Sequence, residues 1–226
     1  MQIEILYHTP EPERAVATAA RLCYAPVGAA ELRDKMTAEQ VQKVLATIMK
    51  SGHHSALEHA SYTFAIDGVS RALTHQLVRH RIASFNQQSQ RYVTFKQEPD
   101  VVMPQSVAEN PELSAIFNSA IKNAYQSYAQ LIEAGIPAED ARYLLPNACV
   151  SKIVATMNIR ELLHFFELRC CNRAQWEIRE MAASMLALVQ PTAPYIFMDA
   201  GAACRRGSCP EGKMTCGNPF TKVVRP

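Results

Sequence analysis

The chain has 226 residues, of which 48% are hydrophobic and 19% are charged. This composition can bury a sizeable core and excludes a disordered chain. The 23 basic and 21 acidic side chains leave a formal net charge of +2, which argues against a general polyanion binder, although basic residues can still cluster locally. No apolar run reaches the roughly 18 residues of a membrane span, and the first residues lack the basic and apolar regions of a signal peptide. We therefore expect a cytoplasmic protein with no membrane partner.

The first half of the chain is predicted to mix strands and helices. Residues 1–7 alternate apolar and polar side chains, as a strand does, and a helix is expected from there to about residue 23. A second helix follows Thr37, because Thr37 and Gln40 form a capping box and Gly52 stops the apolar run. The patterns then predict a strand at 61–66, a helix at 69–79, an irregular segment at 80–90 and a β-forming segment at 91–95.

The second half is predicted to be mostly helical. A long amphipathic helix is expected at 111–134 and a short one at 137–146, before a strand at 153–157. Asn158 is predicted to cap a helix to about Cys170, and Asn172 with Gln175 to cap another to about residue 190. Beyond residue 191 the chain becomes rich in Pro, Gly and Cys and reads as a loop-rich tail. Because strands and helices do not alternate strictly, we expect an α+β fold with a largely antiparallel sheet.

The seven cysteines are an odd number spread along the chain, which favours free thiols over a disulfide scaffold. Three of them, Cys204, Cys209 and Cys216, lie in the tail. Three thiolates can form one corner of a metal site, but a fourth ligand is not obvious there. A redox-active pair and an inert tail are the other two interpretations.

Common nucleotide and hydrolase motifs are absent from the sequence. It contains no Gly-x-Gly-x-x-Gly, no Walker loop, no Gly-x-Ser-x-Gly and no His-Glu-x-x-His. Any nucleotide or flavin must therefore bind by a route other than the Rossmann or P-loop turns.

One segment, residues 79–91, holds three Arg and one His but no carboxylate. Arg side chains bind phosphate in a bidentate manner, and Ser, Asn and Gln side chains can hydrogen-bond a base or ring edge. The segment is equally consistent with a small anionic ligand and with a solvated basic loop at a subunit or nucleic-acid surface.

Two further polar clusters flank this segment. Residues 52–59 hold three His, but their spacing fits no standard zinc pattern. A metal site is therefore the least favoured interpretation, after a ligand-facing polar turn and a set of structural histidines. Glu58 is expected to order a neighbouring imidazole. In residues 158–169, Arg160 and His164 share one side of a helix by the i, i+4 rule, with Asn158 near them. The alternative is an exposed face on which Glu161 and Glu167 form salt bridges.

Taken together, the three clusters resemble the flavin-dependent thymidylate synthases. The family signature is Arg-His-Arg, seven residues, then Ser, and it stands here as Arg79-His80-Arg81 and Ser89, followed by Arg91-Tyr92. The flanking matches are Gly52-His53, Glu58-His59, Ala141-Arg142, Leu145-Pro146, Asn158-x-Arg160, Leu168-Arg169 and Ala174-Gln175-Trp176-Glu177-Ile178. They occur in the family's order and cover roughly residues 3–191.

The resemblance implies an activity and a fold. The family makes dTMP from dUMP, with methylenetetrahydrofolate as the carbon donor and with FAD and NADPH supplying the reducing equivalents. It uses no enzyme nucleophile on the uracil ring, so the flavin supplies the difficult chemistry. Members are homotetramers with active sites shared between subunits, and their fold is α/β with a twisted, mostly antiparallel sheet flanked by helices. We therefore expect residues 1–195 to form the enzyme domain and residues 196–226 the Cys-containing tail.

The resemblance also implies roles for individual residues, and no metal among them. The residues expected to hold FAD are Ser55, Arg79, His80, Arg81, Gln87, Asn158, Arg160 and His164. Those expected to hold dUMP are Gln76, Arg79, Gln87, Gln88, Ser89, Gln90, Arg91, Arg142 and Arg169. Arg169 is the expected catalytic residue, which stabilises negative charge on the N3–O2/O4 edge of uracil. Gln87 and His164 depart from the family's usual Glu and Asn, and both keep the ability to form hydrogen bonds.

A protein that binds nucleic acid through residues 79–91 is the alternative from another functional class. It would show a broad basic face and salt-dependent binding of polyanions. A net charge of only +2 speaks against it.

Overall fold

The computed structural model describes residues 1–220. Helices account for 52% of it, and its four strands form one antiparallel sheet, which confirms the expected α+β class. The strands are β1 (Gln2–His8), β2 (Ser61–Ser70), β3 (Ala83–Gln87) and β4 (Val150–Asn158), and they lie in the order β1-β2-β4-β3. Within the described residues, no helix is both long enough and apolar enough to cross a membrane.

The described α-helices vary from single turns to six turns in length. They are α1 (Pro12–Leu22), α2 (Ala29–Lys35), α3 (Ala38–Ser51), α4 (Arg71–Leu77), α5 (Gln105–Ala108), α6 (Pro111–Glu133), α7 (Ala138–Ala141), α8 (Ile159–Arg169), α9 (Trp176–Val189) and α10 (Pro194–Phe197). Short 3₁₀ turns lie at His54–His59, Arg142–Leu144, Ala203–Arg205 and Gly212–Met214.

The chain divides into two compact packing units. Unit 1 comprises Met1–Gln2, Ile66–Arg79 and Phe85–Val154, and unit 2 comprises Ile3–Ala65, His80–Ser84 and Ala155–Pro226. Packing units are not functional domains, so the boundary expected near residue 195 stays a prediction. Residues 221–226 of the expected tail lie outside the described residues.

The core of unit 2 is built from the alternating strand residues and from aromatic side chains. Tyr62 and Phe64 of β2 are fully buried and stack with ring centroids 6.3 Å apart. Phe197 meets Tyr62 edge-on at 6.0 Å and Phe166 of α8 also at 6.0 Å. Such edge-to-face pairs favour one fixed packing of the helix against the strand. The core therefore fixes the position of α8, which carries the expected site residues Arg160, His164 and Arg169.

The termini of α3 and α8 confirm their predicted caps. The Thr37 hydroxyl accepts from the Gln40 amide, and the Gln40 side chain accepts from the Thr37 amide at 3.0 Å. Gly52 ends α3 with φ at +74°, a conformation that glycine adopts without steric cost. At α8, the side chain of Asn158 accepts from the Glu161 amide at 2.9 Å.

Two expectations for residues 80–95 are wrong. The segment predicted to be irregular contains β3, which is extended by a hydrogen bond from the Gln88 amide to the Lys152 carbonyl at 2.9 Å. Pairing with a neighbouring strand determines this extended conformation. The polar side chains of the segment do not show the apolar alternation from which a strand is predicted. Residues 91–95 do not form a strand: Arg91 and Tyr92 lie in a turn closed by a hydrogen bond from the Val93 amide to the Ser89 carbonyl at 3.0 Å, and residues 93–95 are irregular.

Smaller differences concern where helices begin. The helix α2 was not expected, and α4 begins at Arg71 because β2 continues to Ser70. Gln175 alone caps α9, since its side chain accepts from the amides of Glu177 and Ile178, and Asn172 does not take part in this cap. Strand pairing and the side chain that reaches the free amides of the helix determine these boundaries. Local helix propensity predicts neither of them.

Replacing Thr37 with Ala should lower the free energy of unfolding by about 1 kcal/mol, because it removes an N-cap acceptor. Urea unfolding monitored by circular dichroism measures the change. Thr47→Ala is the matched control in the same helix, since the Thr47 hydroxyl bonds only the Lys43 carbonyl one turn back. The control should change stability by less than about 0.5 kcal/mol. Equal losses in the two variants would contradict the capping role of Thr37.

Candidate active site

Three side chains of unit 2 form a buried hydrogen-bonded chain. His80 Nδ1 lies 2.9 Å from Glu161 Oε1, and Arg169 Nε donates to His80 Nε2 at 3.0 Å. His80 and Glu161 are nearly inaccessible to solvent, with 4% and 6% of their surfaces exposed. The ring of Phe165 packs edge-on against the imidazole at 4.9 Å. A single arrangement of these groups is therefore held in a largely dry environment.

The hydrogen bonds determine the protonation state of His80. Because the Arg169 guanidinium has only donors, His80 Nε2 must be an unprotonated acceptor. The ring proton then lies on Nδ1 and is donated to the Glu161 carboxylate. Burial lowers the pKa of His80, with Arg169 and His164 lowering it further, while the hydrogen bond to Glu161 opposes this shift. A neutral imidazole with its proton on Nδ1 satisfies all of these constraints.

Arg169 remains a cation in this arrangement. Burial lowers the pKa of Arg169, but the pKa of an arginine begins so far above neutral that the guanidinium stays charged at about pH 7. A half-buried cation in a low-dielectric environment acts more strongly on developing negative charge than one in water. Arg169 is therefore placed to stabilise an anionic group.

A cavity of about 610 Å³ lies in unit 2 beside α8, within the size range of small-molecule sites. Asn158, Arg160 and His164 all line it, which confirms that they share one side of the helix. The remaining lining residues are Met49, His54, Glu58, Ile82, Glu161, Leu163, Glu167, Tyr195, Ile196, Asp199, Ala200 and Arg206. The lining therefore combines apolar side chains with two arginines and four carboxylates.

Each cavity arginine is paired with a carboxylate at the surface. Arg160 pairs with Glu58, and Arg206 pairs with Glu167 at 2.6 Å. The expectation that Glu58 orders an imidazole is therefore wrong. The alternative interpretation of Glu161 and Glu167 as exposed salt-bridge partners holds for Glu167, which pairs with Arg206, and is wrong for Glu161, which is buried. Exposed ion pairs of this kind contribute about 0–1 kcal/mol, so an anionic ligand can displace Glu58 or Glu167 at small cost.

Other residues expected to hold FAD lie at the surface or in unit 1. Ser55 is exposed on the 3₁₀ turn His54–His59 and does not line the cavity. Arg79 and Arg81 are exposed, and neither forms an ion pair with any residue in 1–220. Gln87, in unit 1, donates its amide hydrogens to Thr74 Oγ1 at 3.0 Å and Ser151 Oγ at 2.9 Å. These two bonds leave the carbonyl oxygen of Gln87 as the group that can accept from a ligand.

A second, basic cavity lies in unit 1 and has a volume of about 280 Å³. Arg71, Arg142 and Gln90 line it with His75, Tyr143, Leu145, Pro146 and Asn147. Burial lowers the pKa of Arg71, and the neighbouring charge of Arg142 lowers it further. Neither arginine is paired with a carboxylate in the part of the chain that the structure describes. Two cations that face the same cavity without a counterion form a site for an anion.

The remaining residues expected to hold dUMP are also in unit 1, except Arg169. Arg91 pairs with Glu139 at 2.6 Å, and the Ser89 hydroxyl accepts from the Arg91 amide at 3.2 Å. Gln88 is exposed, and the side-chain amide of Gln76 donates from Nε2 to the Ala72 carbonyl at 3.4 Å. Arg91 would have to leave Glu139 to bind a phosphate.

Sequence reasoning missed the roles of Glu161 and Arg71. Glu161 is a partner of His80, 81 positions away in the chain, and nothing local marks it as buried. Arg71 follows a strand whose end was predicted too early, and it comes to face Arg142 only through the fold. The sequence does contain a weak indication for Glu161, because it lies in the first turn of the helix in which Arg160 and His164 are predicted site residues.

The cysteines form no metal-ligand cluster in residues 1–220, where no group of three or more His, Cys, Asp or Glu could hold an ion. Cys204 is buried, whereas Cys216 is exposed and lies 3.9 Å from the side-chain amide of Asn172. All seven cysteines are free thiols.

The buried His80 makes the stability of the protein depend on pH. Its pKa in the folded chain is lower than the ordinary value of 6.5, so the unfolded chain takes up the proton first as pH falls. Stability is therefore lost on acidification through about pH 6.5. His80→Gln should flatten the fall in the free energy of unfolding between about pH 7.5 and about pH 5.5, as measured by urea titrations. Parallel pH dependences of wild type and variant would contradict this linkage.

Comparison with known proteins identifies the family to which the chain belongs. Residues 4–195 match the family described as "Thymidylate synthase complementing protein". The chain is 59% identical to the flavin-dependent thymidylate synthase of Geobacter sulfurreducens, over 96% of this chain and 94% of that protein. It is 47% identical to the enzyme of that name from Clostridium tetani and 41% identical to that from Pyrococcus abyssi, in each case over at least 95% of this chain and 91% of the relative. The chain therefore belongs to the family of flavin-dependent thymidylate synthases.

Proposed function

We propose that this enzyme makes dTMP from dUMP by reductive methylation, with methylenetetrahydrofolate as the carbon donor, FAD as the cofactor and NADPH as the reductant. The observation that carries the proposal is the Arg169 guanidinium, held at 3.0 Å by a buried, neutral His80. Family membership supplies the reaction class, and this cation supplies a group with the charge that the reaction needs.

Arg169 stabilises the negative charge that develops on the N3–O2/O4 edge of uracil as the ring is activated. A fixed cation in a site that excludes water needs no reorganisation at the moment of reaction. The guanidinium acts by charge and hydrogen bonding, because it is a poor proton acceptor.

No enzyme nucleophile attacks the uracil ring in this proposal. A cysteine nucleophile requires a thiolate and therefore a lowered pKa. Burial instead raises the pKa of Cys149 and of Cys170, which follows Arg169 in the chain, to about 11 each. Both thiols stay protonated near neutral pH, so neither Cys149 nor Cys170 is prepared to attack the ring.

The cavity beside α8 is proposed to receive the flavin. Asn158, Arg160 and His164 line it, and Ser55, Arg79, His80, Arg81 and Gln87 complete the proposed set. The bound flavin supplies the redox chemistry that the amino-acid side chains lack. The chain's own part is to hold the pyrophosphate with Arg160, which exchanges Glu58 for the ligand, and to cover the rings with apolar side chains.

The basic cavity of unit 1 is proposed to bind the phosphate of dUMP. Arg142 and Gln90 belong to the expected set, together with Gln76, Arg79, Gln87, Gln88, Ser89 and Arg91, and we add Arg71. The pair Arg71 and Arg142 is held close without a counterion, which costs free energy that a phosphate dianion would recover. This cost is the reason for assigning the phosphate to the two arginines.

Further parts of the proposal rest on family membership alone. The protein is a cytoplasmic homotetramer with active sites shared between subunits, and residues 1–195 form its enzyme domain. Its ligands are small molecules, and neither nucleic acid nor a membrane is a partner.

The release of tritium from 5-tritiated dUMP tests the reaction. Tritium should be released to water at the catalytic rate only when FAD, NADPH and methylenetetrahydrofolate are all present. Protein stripped of flavin is the control, and adding FAD back should restore the rate. Cys170→Ser should retain turnover, because no thiol attacks the ring. Undiminished turnover without flavin, or loss of turnover in a Cys170→Ser protein that still folds and binds flavin, would overturn the proposal.

The phosphate assignment predicts a selective loss of affinity. Arg71→Gln should weaken dUMP binding by on the order of 10- to 100-fold, as expected for losing ~1.5–3 kcal/mol from one charge-assisted contact. Binding of deoxyuridine, which lacks the phosphate, should be almost unchanged. Calorimetric titration of both ligands into flavin-loaded protein measures the difference. Arg33→Gln, which removes an exposed cation paired with Asp34, is the control for net charge. Equal losses for the two ligands in Arg71→Gln would contradict the assignment.

A further inference from the structure

Glu161 is an unexpected carboxylate in the interior of unit 2. It lies in the first turn of α8, has 6% of its surface exposed and contacts His80 Nδ1 at 2.9 Å. Arg169 lies in the last turn of the same helix, eight residues further on, which corresponds to about 12 Å along the helix axis. The imidazole of His80 is inserted between the two side chains and bonds both. A buried carboxylate that bonds a buried ring needs an explanation beyond packing, because burying the two groups is costly.

We propose that Glu161 is a positioning residue: by accepting the hydrogen bond that His80 donates from Nδ1, its carboxylate keeps His80 Nε2 as the acceptor that orients Arg169. This inference rests on the proposed role of Arg169 in activating dUMP. Glu161 acts through His80 and is assigned no contact with the substrate.

The inference depends on which ring nitrogen of His80 carries the proton. A neutral imidazole can carry its proton on either nitrogen. With the proton on Nε2, an N–H of His80 would face the Nε–H of Arg169 at 3.0 Å, and the guanidinium would have to turn away. A carboxylate at Nδ1 stabilises the productive tautomer, because it can only accept a hydrogen bond.

A carboxylate bonded to His80 Nδ1 affects the charge of Arg169 less than a carboxylate bonded directly to the guanidinium would. A carboxylate in direct contact with the guanidinium would offset the positive charge that the reaction requires. With a neutral ring between them, the guanidinium is oriented by an uncharged acceptor. Glu161 can thereby influence the orientation of Arg169 through His80 without direct contact with the guanidinium.

The charged and titratable groups that face His80 are Glu161, Arg169 and His164. Of these, Glu161 favours the protonated imidazole, whereas Arg169 and His164 oppose it. Protonation of Nε2 at low pH would abolish the acceptor for Arg169. The rate of turnover should therefore fall on the acid side as His80 becomes protonated, and removing the negative charge of Glu161 should move that fall to lower pH.

Two variants of Glu161 separate hydrogen bonding from charge. Glu161→Met removes the acceptor at similar length and should lower kcat by on the order of 10- to 100-fold, as for losing a partner that orients a catalytic group, with little change in the KM for dUMP. In Glu161→Gln the amide carbonyl can still accept from Nδ1, so most of kcat should remain. The acid limb of its kcat profile should lie at lower pH than that of the wild type.

Glu180→Met, which changes an exposed Glu on the neighbouring helix α9, is the control for the substitution itself and should keep wild-type kcat. Flavin content and thermal melting of each variant show whether it is folded and loaded. If Glu161→Met does not fold, the pH profile of Glu161→Gln still tests the positioning role of Glu161. Normal kcat in folded Glu161→Met, or an acid limb that does not move in Glu161→Gln, would overturn the inference. Failure of the wild type to turn over dUMP would instead contradict the proposed function.

Discussion

The orientation of a half-buried cation is the constraint on which this account depends. Arg169 must keep its charge in an environment that disfavours it, and it must present that charge in one direction. His80 meets both needs, because a neutral ring nitrogen accepts from Arg169 Nε at 3.0 Å without adding a charge. Glu161 fixes that nitrogen as an acceptor by accepting the hydrogen bond from the protonated Nδ1 on the other side of the ring. The aromatic core that packs against α8 keeps these three groups in register.

Four glutamates among the described residues fall into two groups, one at the surface and one buried. Glu58, Glu139 and Glu167 pair with arginines at the surface, where ion pairs are weak and readily exchanged. Such pairs keep cationic side chains in place until an anionic ligand displaces the carboxylate. Glu161 differs because it is buried, so breaking its hydrogen bond would leave an unpaired charge in the interior. Exchangeable pairs therefore suit ligand binding, whereas the buried pair suits a permanent geometry.

Local signals were sufficient for much of the fold and for part of the site. The caps at Thr37 and Asn158 lie within four residues of their partners, and the alternation of β2 identifies a buried strand face. The family resemblance rests on motif order and identified the chain correctly. Contacts distant in sequence were not predictable in the same way. The pairing that makes β3 a strand, the meeting of Arg71 with Arg142 and the contact of His80 with Glu161 are all products of the folded chain.

Nitrogen-15 NMR of histidine-labelled, flavin-loaded protein tests the central claim most directly. The two ring nitrogens of His80, assigned by their absence from the His80→Gln spectrum, report which nitrogen carries the proton. Near neutral pH, we expect a protonated Nδ1 and an unprotonated Nε2 that accepts a hydrogen bond, and we expect Arg169→Lys to perturb the Nε2 resonance more than the Nδ1 resonance. A proton on Nε2, in either the neutral or the doubly protonated ring, would contradict the account.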